Sequence, residues 1–284
     1  MSNKKDALNL TQQMNNMNIK SSNMLLELKT FQSGTFKQVI DALKDILMDV
    51  NFEFDEEGLK IVAMNTSHVV LIQVNMEGEK FEHYYCKKKI DIGLNLLKLY
   101  TIIKTISNGD TLTLYIEEEE PNKLGVLIEN PDKNIKSTYM LSMLDIDNLG
   151  IPEIPIDNIN TKTIKIQSVF FQKLIRDMYN IADNVEIRNI KNEIEFKCKG
   201  DFCEQKTELE GDNNTIDIQS NEGDDEMQII QGVFSLKYIQ QFTKCTNLCQ
   251  FVEINLKNEK PIIISYSIAN IGTIKMALSQ QETV

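Results

Sequence analysis

The stretch "FKQVIDALKDILMDVNFEF", Phe36 to Phe54, returns 135 residues later as "FQKLIRDMYNIADNVEIRN", Phe171 to Asn189. The letters differ, but the apolar positions coincide without a gap. Val39 falls on Leu174, Ile40 on Ile175, Leu43 on Met178, Ile46 on Ile181, Val50 on Val185 and Phe52 on Ile187. The match runs on through Leu59 with Ile194 and Ile61 with Phe196. The first part has helical spacing and the second alternates like a strand. Ser33 and Ser168 sit where an N-cap would close the helix start.

A second block repeats with a shift of 140. Leu96 falls on Leu236, Leu99 on Ile239, Ile102 on Phe242 and Lys104 on Lys244, with Asn95 and Ser235 as caps. The strands that follow match as well: Leu112 with Val252, Leu114 with Ile254, Ile116 with Leu256. The larger shift needs only five extra residues, which a surface loop tolerates. The chain is therefore two copies of one unit, each holding helix, strands, helix, strands. Clear alternation marks "TLTLYIE" (111–117), "TIKIQ" (163–167), "TIDIQ" (215–219) and "VEINLK" (252–257), while "PIIISYSI" (261–268) is more continuously apolar. Helices are too few and too unevenly placed for a parallel βαβ sheet. The spacing predicts an α+β fold of mostly antiparallel sheet backed by four helices, over 36–48, 96–106, 168–181 and 235–245.

Working outward, residues 24–145 form the first domain and 159–279 the second. "LDIDNLGIPEIPIDN" (144–158), with two prolines and a glycine, supplies the extended connecting loop, placed at 146–158. Residues 280–284 are a short tail. Residues 1–23, rich in Asn, Gln, Ser and Lys, read as a disordered extension with a weak helical pattern over Ala7–Met17. They lack the apolar core of a signal peptide, and no run approaches the ~18 apolar residues of a membrane span. "EGDNN" (210–214) and "NEGDDE" (221–226) read as solvated acidic loops.

The five cysteines are an odd set without disulfide or zinc-ribbon spacing, so reduced thiols and no metal are expected. The chain's formal charge of −12 should repel nucleic acid and anionic membranes. The four helices run against that balance. They carry Lys37, Lys44, Lys98, Lys104, Lys173, Arg176, Lys237 and Lys244 against only Asp41, Asp45 and Asp177, a net +5. Such residues are compatible with ordinary solvated faces of amphipathic helices. Their recurrence in both copies equally suits a surface built for phosphates, touched at the backbone and blind to base sequence.

These residues, in order and at near-constant spacing, are what the resemblance rests on. "FKQVIDALKDIL", "MNTSHVVLIQV" (64–74), "GLNL" (93–96), "LDIDNLGIPE" (144–153), "FTK" (242–244) and "PIIISYSIANIG" (261–272) together closely resemble the proliferating cell nuclear antigen family, the eukaryotic-type DNA sliding clamps. The likeness runs from about Leu25 to Leu278. It implies two clamp domains per chain and three chains in a closed ring, with sheets outside and helices lining the hole. It implies a processivity factor without catalysis or cofactor, working in DNA replication and repair. The ring would encircle duplex DNA without sequence preference and tether polymerase, clamp loader, flap nuclease and ligase through short client peptides. The place would be the nucleus or, for a viral protein, the site of viral DNA replication.

Residue by residue, the resemblance makes Lys37, Lys44, Lys104, Lys165, Lys173, Arg176, Lys237 and Lys244 face DNA, with Lys98 a weaker match. Thr101 stands where the family has a pore lysine. It makes Met64, His68, Val69 and Leu71 one wall of a client-peptide pocket. Leu149, Gly150, Ile151 and Pro152 form a second wall, and Pro261 with Met276, Ala277, Leu278 and Ser279 closes the site. It makes Tyr139 a ring-joint residue, on an edge strand near Lys136–Leu144 that meets Cys203–Leu209 of the next chain. It makes Lys191, in "RNIKNE", a ubiquitin acceptor. The family's aromatic and proline near Ala277 and Gln280 are absent, which makes the pocket shallower. Judged on its residues alone, His68 would be a core histidine.

Two other classes deserve weight. An enzyme would draw on His68 or His83 with Glu79 and Glu82, but no nucleophile or phosphate loop accompanies them. A paralogous clamp subunit, of a hetero-trimeric checkpoint ring or of a large DNA virus, would share the fold. Near-complete pore and pocket residues favour a self-sufficient clamp.

Overall fold

Both copies fold into the same order of elements. The computed structural model describes residues 23–147, 150–154, 162–211, 215–219 and 229–281. The first copy runs β1 (Met24–Thr30), α1 (Ser33–Leu43), β2 (Asp49–Phe54), β3 (Gly58–Met64), β4 (Val70–Glu77), β5 (His83–Cys86), β6 (Ile90–Asn95), α2 (Leu96–Ile103), β7 (Thr111–Glu117), β8 (Lys123–Asn130) and β9 (Ile135–Ser142). The second runs β10 (Lys162–Gln167), α3 (Ser168–Tyr179), β11 (Asn184–Ile190), β12 (Glu193–Lys199), β13 (Glu204–Glu210), β14 (Ile216–Gln219), β15 (Ile230–Ser235), α4 (Leu236–Phe242), β16 (Phe251–Leu256), β17 (Ile262–Ile268) and β18 (Gly272–Leu278). The apolar match of Phe36 with Phe171 is thus a match of α1 with α3, and both phenyl rings are fully buried.

Every strand pairing in the described residues is antiparallel. Three sheets result, in the orders β5-β1-β7-β8-β9, β13-β12-β11-β15 and β14-β10-β16-β17-β18-β4-β3-β2-β6. The last crosses the boundary between the copies. Its seam is β18 against β4, in register from Gly272 opposite Met76 to Leu278 opposite Val70. The helices pack on one face of the sheets, α1 beside α2 and α3 beside α4. At the seam α1 also meets a 3-10 turn, Thr243–Leu248, that continues α4. Between helices and sheets lies one continuous apolar core. Phe171 sits edge-on to Phe196 at 6.4 Å, and Phe242 edge-on to Tyr266 at 5.5 Å, a geometry that suits the ring quadrupoles.

The helix starts differ from the expected caps. Asn95 does cap α2, its Oδ1 accepting the Lys98 N–H at 3.0 Å. Ser33 and Ser168 instead stand one residue inside, after Gln32 and Gln167, and both are buried. The Ser33 hydroxyl donates to the Asp110 carbonyl at 2.6 Å, so it ties α1 to the loop before β7 rather than capping its own helix. Ser235 precedes α4 without a side-chain cap bond. The helices are also shorter than the periodicity suggested, because α1 ends at Leu43 and α4 tightens into its 3-10 turn. Residues 1–22, residues 155–161, part of the first acidic loop, all of the second and residues 282–284 of the tail lie outside the described residues.

Candidate functional site

One face of the nine-stranded sheet gathers the first set of residues. Met64 on β3 is opposite Leu71 on β4, Leu71 opposite Ala277 on β18, and Ala277 opposite Ile263 on β17. All four are only half-buried, since they point away from the helices. The result is an apolar row that crosses the seam. Ile263 belongs to it although the sequence reading left it out. The stretch is nearly continuously apolar, and only Ser265 and Ser267, which share the phase of Ile263, could have pointed to its outward face. Met276 and Leu278, placed in the pocket wall at the sequence level, are fully buried and point into the core. A strand's side chains alternate, so only Ala277 and Ser279 of that segment can offer an outward surface.

The turn between β3 and β4 borders this row. Asn65 is buried, and its Oδ1 accepts the Val69 and Val70 N–H groups at 3.1 and 3.0 Å. The His68 N–H donates to the Asn65 carbonyl at 3.0 Å. His68 itself is exposed with φ 56°, a conformation uncommon outside glycine. It is therefore not the core histidine that its apolar flank suggested. Its imidazole stands out from a turn that is rigid behind it. Ser67 and Tyr238 hydroxyls lie 3.1 Å apart, and the Ser279 N–H donates to the Val69 carbonyl at 3.0 Å, so the second copy braces the turn.

The connecting loop runs along the same side. Its start is held where the Leu144 N–H donates to the Gly93 carbonyl at 2.8 Å and Asn51 Nδ2 to the Ile146 carbonyl at 3.1 Å. Further along, Glu153 is held by its ion pair with Lys60, and Gln73 Oε1 accepts the Ile154 N–H at 2.8 Å. The hydrogen bond from the Lys60 ammonium holds the Glu153 carboxyl below its ordinary value, against the opposing effect of burial. Between these anchors Gly150, with φ 58°, and half-buried Ile151 border a groove of about 360 Å³ together with Met64, Val62 and Asn51. Pro152, next to Ile151 in the chain, is exposed, and so is Pro261 just before β17. Leu149 lies outside the described residues.

The cations occupy the helix side, and their surroundings are unequal. Lys44 is nearly buried, with its Nζ 3.0 Å from both Asp41 and Asp45 and 4.8 Å from the Tyr100 ring centre. Lys244, from the other copy, pairs with Asp45. Burial alone would raise the Asp45 carboxyl, but the hydrogen bonds from Lys244 and Lys44 outweigh it and hold the group below its ordinary value. Lys37 donates to the Ile106 carbonyl at 2.9 Å, and Lys165 pairs with Glu253 at 3.0 Å. Arg176 has Asp177 at 3.9 Å as its one ion-pair partner among the described residues. Lys98, Lys104, Lys173 and Lys237 are exposed, and among the described residues no carboxylate pairs with them. Charge counting could not see this sorting, because Asp41 and Asp45 act on particular lysines and not on the sum.

Two sheet edges complete the inventory. The β6 and β15 edges each take a backbone bond, from Leu144 to Gly93 and from Gln281 to Val233. The edge strands β5 and β14 are four residues each. Among the described residues that leaves β9 and β13, eight and seven residues long, unpaired on their outer sides. Tyr139 on β9 is half-buried, turned toward the core opposite Val126 and bordering a hollow of about 220 Å³ with Ile135 and Ile128. Lys191 is exposed in the β11–β12 turn with φ 53°. All five cysteines are free thiols. His83 lies beside Glu27, 3.6 Å away.

The family model for the N-terminal domain of proliferating cell nuclear antigen matches residues 24–149, and the model for its C-terminal domain matches residues 150–281. A proliferating cell nuclear antigen from Chaetomium thermophilum is 32% identical over 263 residues, covering 90% of this chain and 97% of that protein. A probable DNA polymerase sliding clamp of Paramecium bursaria Chlorella virus 1 is 29% identical over 262 residues, with 90% and 97% covered.

Proposed function

The chain belongs to the proliferating cell nuclear antigen family, and from that premise we propose that three copies close into a ring around duplex DNA and present one peptide-docking groove per copy. The protein is a DNA sliding clamp and a processivity factor for DNA polymerase; the family acts by tethering and not by catalysis. Retention on DNA then comes from topology, and a tethered client meets its substrate at raised effective concentration.

The observation that carries the ring is the seam inside the chain. β18 pairs with β4. By the repeat, β9 is the counterpart of β18, and β13 that of β4. These are the two long strands whose outer edges are open. Copying the seam register across puts Tyr139 opposite Gln205 and Ile135 opposite Leu209 of the neighbouring copy. Burial supports the same equivalence. Met276, the counterpart of Tyr139, is fully buried beside β4, while Tyr139 and Ile135 are left part-exposed, Ile135 at 54%. An open, apolar-tipped edge is a template for another strand.

The apolar row Met64–Leu71–Ala277–Ile263, the His68 turn and the Gly150–Ile151 segment form the docking groove. Polymerase, clamp loader, flap nuclease and ligase are the proposed clients, through short peptides whose backbone His68 would meet. An exposed apolar strip with a polar rim is the ordinary mark of such a site. Lys104, Lys173, Arg176 and Lys237 supply the sparse phosphate contacts, Lys191 is a candidate ubiquitin acceptor, and the nucleus is the proposed place of work. Light scattering after size exclusion tests the ring: a mass of three chains is expected, each of 32.6 kDa. A monomer that still supports polymerase processivity would overturn it.

A further inference from the structure

The repeat lets the seam within the chain be compared with the proposed joint between chains, residue by residue. At the seam, α1 brings Asp41, Lys44 and Asp45 against Lys244 of the second copy, and the carboxylates take up both lysines. The shift that lays α1 on α3 puts Arg176 in the place of Asp41 and Asn180 in the place of Asp45. The shift that lays α2 on α4 puts Lys104 in the place of Lys244. Where α3 of one copy meets the end of α2 of the next, the carboxylates of the seam have no counterparts. Arg176, Asn180, Lys173 and Lys104 are all exposed. Asp177 stands 3.9 Å from the Arg176 Nε, at the limit of an ion pair.

We propose that the phosphates of duplex DNA are held chiefly at the joints between copies, by Lys104 of one copy with Lys173 and Arg176 of the next, while Asp45 with Lys44 and Lys244 is a clasp that joins the two halves of each chain. This rests on the ring reading above, since the site is incomplete in one copy. The positive lining is then threefold rather than sixfold. A phosphate approaching the seam must compete with two carboxylates already in place. At the joint it meets three cations, opposed by Asp177 at the limit of an ion pair rather than by carboxylates in close contact.

Two exchanges test the assignment on the full-length protein. Asn180→Asp gives the joint the seam's carboxylate, and Asp45→Asn removes it from the seam. The probe is a blunt duplex oligonucleotide, titrated by fluorescence anisotropy at several salt concentrations. The slope of log affinity against log salt measures phosphate contacts, at about 0.9 per contact on duplex DNA. Asn180→Asp and Arg176→Ala are expected to flatten the slope, and Asp45→Asn to steepen it by freeing Lys244 and leaving Lys44 with Asp41 alone. Circular dichroism and light scattering on the same samples establish that fold and trimer persist. A trimer in which Asn180→Asp keeps the wild-type slope, or in which Asp45→Asn leaves it unchanged or flatter, overturns the phosphate assignment alone. A monomeric wild type overturns the ring and this site with it.

Discussion

Phe36 and Phe171 occupy one position in two copies, each at full burial under its own sheet. Truncating either to Ala should cost about 3–5 kcal/mol, the usual range for a core phenyl ring. Denaturant unfolding followed by circular dichroism checks this. A loss under about 1 kcal/mol at one site would show that the copies do not share a core geometry. On the outer face, Ile151→Asp should weaken a client peptide at least tenfold by calorimetry, because a carboxylate in a half-buried apolar groove lacks a partner. An unchanged affinity would move the docking site elsewhere. The core was legible in the sequence because buried apolar positions keep their period through every substitution. The groove was legible only in part. Met276 and Leu278 share their segment with Ala277, and a family likeness names the segment, whereas strand alternation decides which side chains face out. Ile263 was missed for the converse reason: its stretch reads as continuously apolar, which hides the phase.

Among the elements, the edge strands β9 and β13 carry the assembly. Tyr139→Ala should yield monomers with unchanged helix and strand content, because an aromatic dominates the small apolar core of such a joint and the loss recurs at all three joints of a closed ring. Light scattering at micromolar concentration checks it. A persistent trimer would mean that Tyr139 packs only within its own domain. The clasp at α1 has its own signature in acid. The Asp45 carboxyl is held below the ordinary value of 3.8 by Lys244 and Lys44, against its burial. A depressed folded value gives stability that is present above the unfolded value and lost as pH falls through the folded one. Thermal stability should therefore drop below about pH 4, and Asp45→Asn should flatten that part of the profile. An identical acid limb in the variant would remove the clasp. Helix boundaries were less legible than helix existence, since Lys37, Ser33 and the 3-10 turn depend on partners distant in sequence.

For the whole molecule, the repeat explains why a chain of net charge −12 can work on DNA. The acid is spread over sheets and loops, while the helices that share one face keep four exposed cations that no carboxylate among the described residues pairs with. Affinity from so few contacts is weak and salt-sensitive. Lasting residence must come from closure. The pairing of β18 with β4 is a copy, inside the chain, of the joint that would close the ring. The fold was therefore readable from the repeat, and the Lys244–Asp45 pair at the seam was not, because it joins residues 199 positions apart. The most direct measurement is retention on circular DNA. The protein is loaded onto a nicked circular plasmid by its clamp loader, isolated by gel filtration, and the plasmid is then cut once. A topologically linked ring is expected to stay with the circle in moderate salt and to be lost on cutting. Protein that leaves the intact circle as fast as the cut one, or that stays bound after the cut, would contradict the account.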